Sequence, residues 1–165
     1  MDSPTISNPA RVLMVDDEAQ QVELRASILR MAGFSVLSAP GPMQALSLVT
    51  TVARIDIAIV DYDMPTMNGG VLAQHLKAKF PKLNIVLYSG AIAIPSQHLR
   101  SVNAFISKAE GVVALLHYLR RLSTQIAKTG SSAGAISGSN PESPPSAAGA
   151  PRSLIPAVFA AANVS

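Results

Sequence analysis

The sequence predicts a doubly wound α/β domain built on a five-stranded parallel sheet, and three observations lead to this prediction. Five short apolar runs alternate with longer segments whose apolar residues recur at helical spacing. Each apolar run ends abruptly at polar or turn-forming residues, which is typical of a buried strand. Connections long enough to hold a helix join parallel neighbours. We expect the strand order 2-1-3-4-5, with helices on both faces of the sheet.

The first half of the predicted domain contains three strands and two helices. The first strand runs into an acidic turn, and the helix after it stops at Gly33. A Pro-Gly-Pro break precedes the second helix, and the third strand stops at an Asp-Tyr-Asp-Met-Pro turn. The elements expected here are strands at 11–15, 34–37 and 55–60 and helices at 18–32 and 43–49.

The second half repeats the pattern with two strands and three helices. The third helix ends near Pro81, the fourth is short and weakly patterned, and the last has a strong apolar stripe. The expected elements are strands at 84–88 and 104–107 and helices at 71–80, 95–102 and 111–122. Because every apolar run can be assigned to a strand or a helix of the same sheet, we predict one folded domain over residues 10–123.

The regions flanking this domain have a different composition. Residues 1–9 are rich in proline and serine and predict a flexible arm, and residues 124–165 predict a low-complexity, disordered tail. Between residues 129 and 151, 19 of 23 positions are Gly, Ser, Pro or Ala, so little apolar surface offsets the cost of ordering them. Apolar residues return near 153–163, and the sequence leaves two alternatives there, a short helix that docks on another surface or no regular structure.

Composition and charge exclude several classes of function. The chain has no cysteine, which excludes disulfides, thiolate metal sites and cysteine nucleophiles. Its net charge of +3 is not concentrated in any dense basic run, so we expect no nucleic-acid binding. No secretory signal and no apolar stretch near the ~20 residues of a membrane span is visible. We therefore expect no membrane association and a cytoplasmic location.

Side chains with carboxylate, hydroxyl or ammonium groups, which can bind ligands or take part in catalysis, follow four of the predicted strands. Asp16 and Asp17 follow the first strand, Asp61 the third, Ser89 the fourth and Lys108 the fifth. Ligand sites in open parallel sheets lie beyond these carboxyl ends. Three converging carboxylates repel one another unless a hard cation such as Mg²⁺ lies among them. A carboxylate can also become an aspartyl phosphate, whose charge is offset by metal, hydroxyl and ammonium groups.

Four segments that contain these residues resemble the receiver domain of two-component response regulators. They are Val12–Glu18, Ile59–Gly69, Leu87–Gly90 and Phe105–Lys108, in the order and at the spacing typical of that family. Each segment alone is a weak signal, but the four together are specific. The resemblance covers about residues 10–123 and implies a flavodoxin-like fold.

The resemblance implies that Asp61 is a phosphoacceptor. It would take a phosphoryl group from a sensor histidine kinase or a histidine phosphotransfer protein. The Mg²⁺ ligands implied are Asp16, Asp17, Asp61 and the backbone carbonyl of Asp63. Such a domain is a switch rather than an enzyme, since it assists only its own phosphotransfer and dephosphorylation.

The resemblance also implies how the signal leaves the site. Lys108 would pair with the phosphoryl group, Ser89 would be the switch hydroxyl that moves toward it, and Phe105 the switch aromatic that turns inward. A downstream protein would then read the face formed by the fourth helix, fifth strand and fifth helix. Phosphate charge would in this way bias a two-state element.

One position departs from the family pattern, because Ala109 stands where proline usually follows the lysine. A non-proline cis bond costs about 2.5–4 kcal/mol, so we expect a trans bond and a re-routed loop there. This departure leaves open a pseudo-receiver, a binding module that has lost phosphorylation. An aspartate-based phosphatase like the haloacid dehalogenases is a further alternative, although its motif normally follows the first strand. Taken alone, Asp16 and Asp17 could simply cap the first helix.

Overall fold

Parallel strands and crossover helices make up residues 9–91 and 93–131, the part of the chain that the computed structural model describes. The strands are β1 (Arg11–Val15), β2 (Ser35–Ala39), β3 (Ile57–Val60), β4 (Asn84–Ser89) and β5 (Ala104–Ser107). The helices are α1 (Ala19–Met31), α2 (Pro42–Thr51), α3 (Gly69–Lys79), α4 (Ser96–Leu99) and α5 (Gly111–Ser131), with a 3₁₀ turn at Lys108–Glu110.

The sheet has the predicted strand order, β2-β1-β3-β4-β5, and all its pairings are parallel. The register places Val15 opposite Val60, so β1 and β3 end at the same level. Ser89 at the end of β4 lies opposite Ser107 at the end of β5. The predicted fold class is therefore confirmed, and the residues that follow these strands emerge at one edge.

Helices cover both faces of the sheet because successive strand residues point to opposite sides. One cluster packs the sheet against α2 and α3, and the other packs it against α1 and α5. The central strands are buried on both faces, and each fully buried Leu or Ile side chain contributes about 1.5–3 kcal/mol. The fully buried large side chains are Leu13, Met14, Leu29, Ile57, Ile59, Leu72, Leu76, Leu83, Ile85, Leu87, Leu115 and Leu119.

Two helices differ most in length from the sequence prediction. The last helix was expected to end at 122, but α5 continues to Ser131. Ile126 packs against the α1/α5 cluster, and the hydroxyls of Ser123 and Thr124 donate to the carbonyl of Arg120. These contacts support the helix over residues 123–131, a part that local composition did not signal. By contrast, α4 has four residues and none is buried.

The loop after β5 follows a route without proline. The Lys108–Ala109 peptide bond is trans, as every bond in the described residues is. The Ser107 hydroxyl accepts from the amide of Ala109 at 3.2 Å, and the Glu110 carboxylate accepts from the amide of Ser107 at 3.2 Å. This reciprocal capping closes the 3₁₀ turn that begins at Lys108.

Several predictions fall on other parts of the chain. The predicted arm over residues 1–9 lies outside the described residues except for Pro9, as do the predicted tail beyond Ser131 and the short helix near 153–163. Among the described helices, none combines the length and apolarity needed to cross a bilayer.

Candidate functional site

Three carboxylates meet at the edge of the sheet where β1 and β3 end. Asp16 is 1% exposed and Asp61 is 5% exposed, whereas Asp17 is open to solvent. The amide of Asp61 donates to the carbonyl of Val15 at 2.9 Å, which ties the two strand ends together. One carboxylate oxygen from each aspartate lies within 4.8 Å of the others. This acidic pocket, defined by Asp16, Asp17 and Asp61, concentrates charge that requires nearby cations.

Lys108 is the first of these cations. Its Nζ donates to Oδ2 of Asp61 at 2.9 Å and to Oδ2 of Asp16 at 3.1 Å. Burial alone would lower the pKa of Lys108, but its bonds to Asp61 and Asp16 outweigh burial and raise that pKa above its ordinary value. The lysine is therefore a charged ammonium group that bridges the two buried carboxylates.

Arg25 is the second cation, and sequence reasoning missed it. Its Nη1 donates to Oδ2 of Asp16 at 2.5 Å, and its guanidinium lies 5.4 Å from the ring centre of Tyr88. Arg25 is on α1, where it reads as one of several basic residues on a solvated helix face. Only the packing of α1 on the sheet beside β1 and β2 shows that this arginine points into the site.

One oxygen of Asp61 has no hydrogen-bond partner among the described residues. This atom, Oδ1, is fully buried, whereas Oδ2 of the same carboxylate is held by Lys108. A buried carboxylate oxygen left unsatisfied costs free energy, and in native proteins such an atom is accounted for by an ordered water, an ion or a catalytic role. With Asp17 exposed beside it, Oδ1 suits a hard divalent cation or an electrophile.

The loop after β3 has its shape fixed by a close backbone contact. A Cβ atom on Gly69 would lie 2.2 Å from the carbonyl oxygen of Asp61, so only glycine fits there. The Asn68 side chain accepts from the amide of Val71 at 3.0 Å and caps α3. The amide of Gly69 donates to the carbonyl of Tyr62 at 2.9 Å. Helix α3 therefore starts directly against the Asp61 backbone.

Ser89, Asp63 and Phe105 lie on the neighbouring side of the site. Ser89 is fully buried; its hydroxyl donates to Oδ2 of Asp63 at 3.4 Å and accepts from the amide of Ala91 at 3.1 Å. Its hydrogen-bond partner is thus Asp63 and not Asp61. Phe105 is half-buried on β5 and packs against the α2/α3 cluster. The structure therefore brings Asp61 and Lys108 into contact and leaves Ser89 bonded elsewhere.

A second missed contact joins the Asp61 loop to α4. The hydroxyl of Tyr62 lies 2.8 Å from Nδ1 of His98, and the two ring centres are 5.8 Å apart. A Cβ on Gly70 would lie 2.3 Å from Cβ of His98, so α4 packs closely against the start of α3. No local sequence pattern links two residues 36 positions apart.

The helix-capping explanation of the acidic pair does not hold in the structure. Residue Glu18 is the N-cap of α1, and no side chain caps that helix. The Asp16 carboxylate instead accepts from the Glu18 amide at 3.1 Å while it also binds Lys108 and Arg25. The buried position of Asp16 therefore serves the acidic pocket.

Comparison with known proteins agrees with the fold. The family model described as the response regulator receiver domain matches residues 12–120. The two-component response regulator ORR11 of rice (Oryza sativa subsp. indica) is 34% identical over 83 residues, 49% of this chain and 56% of that protein. The sensor protein TorS of Escherichia coli K12 is 23% identical over 95 residues, 58% of this chain and 10% of TorS. The chain thus spans from a tenth to just over half of these relatives.

Solved structures share the fold at lower sequence identity. A CheY-like receiver domain protein of Methanospirillum hungatei gives a TM-score of 0.68 at 21% identity, covering 73% of this chain and 98% of that one. The response regulator TrrA of Thermotoga maritima, in complex with Mg²⁺-BeF, gives 0.63 at 24% identity, covering 68% and 98%. TrrA in complex with the histidine kinase ThkA gives 0.62 at 23% identity, covering 68% and 97%.

Proposed function

Because the chain belongs to the response regulator receiver domain family, we propose that Asp61 accepts a phosphoryl group from a phosphohistidine and that this event switches a protein-binding surface. The donor in this proposal is a sensor histidine kinase or a histidine phosphotransfer protein, and the site of action is the cytoplasm. The receiver unit in this proposal is the predicted domain over residues 10–123, together with the extension of its last helix to Ser131. The kinase complex of the structural neighbour TrrA supports this class of partner.

The observation that supports the proposal most strongly is that the two carboxylate oxygens of Asp61 differ in their hydrogen bonding. Lys108 holds Oδ2, while Oδ1 is buried without a partner in the described residues. A nucleophile attacks through a free lone pair; no described donor engages either lone pair of Oδ1, whereas Lys108 occupies one of the two on Oδ2. We assign Oδ1 as the attacking atom: its bond to phosphorus forms as the bond from phosphorus to the donor imidazole nitrogen breaks, and the donor keeps that electron pair.

The metal in this proposal is Mg²⁺. The carboxylates of Asp16, Asp17 and Asp61 and the backbone carbonyl of Asp63 would hold it, and the hard-oxygen chemistry of this set fits that ion. When bound, Mg²⁺ supplies positive charge that offsets the phosphoryl oxygens during transfer. TrrA was solved with Mg²⁺-BeF, which supports the same metal here.

Lys108 would stabilise the product. Its ammonium already bridges Asp61 and Asp16, so it stands next to the position where a phosphoryl group on Asp61 would carry its charge. A charge-assisted hydrogen bond to a phosphoryl oxygen is stronger than a neutral one. Lys108 thus acts as the residue that senses the new charge.

The switch would begin at Ser89. Its hydroxyl is held by a long 3.4 Å bond to Asp63, which a bond to a phosphoryl oxygen would readily replace. Movement of Ser89 would free space beside β5, where Phe105 is only half-buried. The altered surface over α4, β5 and α5 is the face that we assign to the downstream protein.

Labelling with acetyl phosphate and Mg²⁺, followed by intact-mass measurement, tests the proposal. We expect one phosphoryl group on the wild type and none on Asp61→Asn, whose fold should remain intact by circular dichroism. Asp56→Asn, at a carboxylate at the opposite end of β3, is the matched control and should label normally. Stoichiometric labelling of Asp61→Asn would show that the site is wrong, and an unlabelled wild type would favour the pseudo-receiver. Repeated turnover of a phosphate ester would favour the phosphatase.

A further inference from the structure

We propose that Arg25 is a resident counter-ion of Asp16 that weakens the binding of Mg²⁺ to the acidic pocket. The inference rests on the proposed function, because it concerns the metal site of that same switch. In physical terms, a side-chain cation and a divalent ion compete for one carboxylate. Three features of the structure lead to this conclusion.

The first feature is that the ion pair is buried and held in place. The Arg25 side chain is 15% exposed and Asp16 is 1% exposed, with 2.5 Å between Nη1 and Oδ2. Coulomb attraction in such surroundings is much less screened than at the surface. Tyr88, itself 3% exposed, lies under the guanidinium and restricts its movement. Arg25 is therefore a fixed part of the site.

The second feature is that Asp16 has few lone pairs left for a metal. A carboxylate offers about four lone-pair positions, two on each oxygen. Oδ2 accepts from both Arg25 and Lys108, and Oδ1 accepts from the amide of Glu18. A metal ion that binds through Oδ2 must displace a cation, and one that binds through Oδ1 must approach beside two cations.

The third feature is the charge balance of the acidic pocket. Its three carboxylates are opposed by the two cations Arg25 and Lys108, so that one net negative charge remains to attract Mg²⁺. Removal of the Arg25 charge doubles that residual charge. At the effective dielectric constant of partly buried sites, this change corresponds to a Mg²⁺ affinity at least about tenfold higher.

The consequence for the switch is a site that requires more Mg²⁺ before it accepts a phosphoryl group. Lys108 cannot fill the role of Arg25, because it is shared with Asp61. Arg25 contacts Asp16 and no other described carboxylate at salt-bridge distance. We therefore assign Arg25 as a positioning residue that acts through Asp16.

Titration of the full chain with Mg²⁺ by calorimetry, and with Mn²⁺ by electron paramagnetic resonance, tests the inference without any phosphoryl donor. We expect Arg25→Gln to bind either ion at least about tenfold more tightly than the wild type. Arg25→Lys keeps the positive charge but loses the planar guanidinium that stacks on Tyr88, so its affinity for either ion should be intermediate. Arg30→Gln removes an exposed cation from the same helix and should bind as the wild type does.

Thermal unfolding supplies a second readout. Without divalent ions, Arg25→Gln should melt below the wild type, since buried Asp16 loses a partner. Addition of Mg²⁺ should then raise its Tm more than it raises that of the wild type, because a ligand stabilises according to its affinity. If Arg25→Gln does not fold, Arg25→Lys decides the question by its affinity alone.

The two proposals can fail separately. Wild-type or weaker cation affinity in folded Arg25→Gln, or in Arg25→Lys where only that variant folds, overturns the role of Arg25 even if Asp61 is phosphorylated. Tighter binding in the variant, with no phosphoryl group ever found on Asp61, supports the role of Arg25 and rejects the phosphoacceptor. Equal tightening in Arg30→Gln would also overturn the inference, since general surface charge would then be the cause.

Discussion

The acidic pocket and the α4 region, by which we mean Ser89, Asp63 and helix α4, lie at the same edge of the sheet but differ in burial and in hydrogen bonding. In the acidic pocket, Asp16 and Asp61 are almost fully buried; Lys108 bridges them with contacts of 3.1 and 2.9 Å, and Arg25 binds Asp16 at 2.5 Å. In the α4 region, Ser89 holds Asp63 by one 3.4 Å bond, and the four-residue helix buries no side chain.

The difference separates two tasks that a switch must combine. Phosphoryl transfer needs groups that are already in place, because positioning and electrostatics supply most of the catalysis. A response needs an element that changes its arrangement at little cost, and such elements come from the least stable parts of a fold. The acidic pocket, where the phosphoryl group would bind, is the region dense in short ion pairs. The α4 region, which would transmit the signal, is the region sparse in such bonds.

Gly69→Ala should break the dense region most severely. The new Cβ would lie 2.2 Å from the Asp61 carbonyl oxygen, so the loop or α3 must move. We expect a loss of about 3 kcal/mol in the free energy of unfolding, measured in urea, together with loss of labelling. Gly90→Ala is the matched control, because nothing lies within 4 Å of its Cβ, and it should cost far less. Equal losses in both variants would contradict the close-contact explanation.

Lys108→Ala should leave Asp61 and Asp16 facing each other without their shared ammonium. We expect a loss of about 2 kcal/mol in the free energy of unfolding in buffer free of divalent ions, and a smaller loss in Mg²⁺. Urea denaturation under both conditions measures the difference, with Lys82→Ala on the exposed surface as control. Phosphoryl transfer should persist, while the response of α4 is lost. A stability loss that Mg²⁺ does not reduce would argue against a shared cation site.

Ser89→Ala should uncouple phosphorylation in the acidic pocket from the response of α4, with little effect on stability. The bonds that it removes are few and the one to Asp63 is long, so we expect less than about 1 kcal/mol of destabilisation. Asp61 should still be labelled by acetyl phosphate, but amide shifts of α4 on phosphorylation should disappear in NMR spectra. Unchanged α4 shifts in the phosphorylated variant would remove Ser89 from the signalling route.

Tyr62→Phe should have the smallest effect, confined to the sparse region. It removes the 2.8 Å contact to His98 and keeps the ring, so about 0.5–1 kcal/mol of local stability is lost. Hydrogen exchange should accelerate at α4 amides and stay constant in β1 and β3. Equal acceleration in those strands would mean that Tyr62 supports the whole sheet.

Strand-level features of the molecule could be predicted from sequence for a clear physical reason. Buried parallel strands are continuous apolar runs, and topology alone carries the groups after them to one edge. The contact between Lys108 and Asp61 follows from that rule, although the residues are 47 positions apart. The strand order is as predicted, and the contact between these two side chains is found as that order leads one to expect.

Features set by side-chain packing could not be predicted in the same way. Arg25 is predicted to be a solvated basic residue until α1 is packed on the sheet, where its guanidinium lies over Tyr88; the Tyr62–His98 contact depends on where a four-residue helix lies. The extension of α5 to Ser131 is accompanied by the packing of Ile126 against the α1/α5 cluster, a tertiary contact in an otherwise polar segment. In each case the deciding energy is non-local and leaves no pattern in the chain.

Chemical mapping of the phosphorylated residue tests the central claim most directly. Borohydride reduces an acyl phosphate on aspartate to homoserine, which peptide mass spectrometry locates after acetyl phosphate and Mg²⁺ treatment. We predict homoserine at position 61 and unchanged aspartate at 16, 17 and 63. Homoserine at any of those three positions, with Asp61 intact, would contradict the assignment of the buried, half-unpartnered carboxylate as the phosphoacceptor.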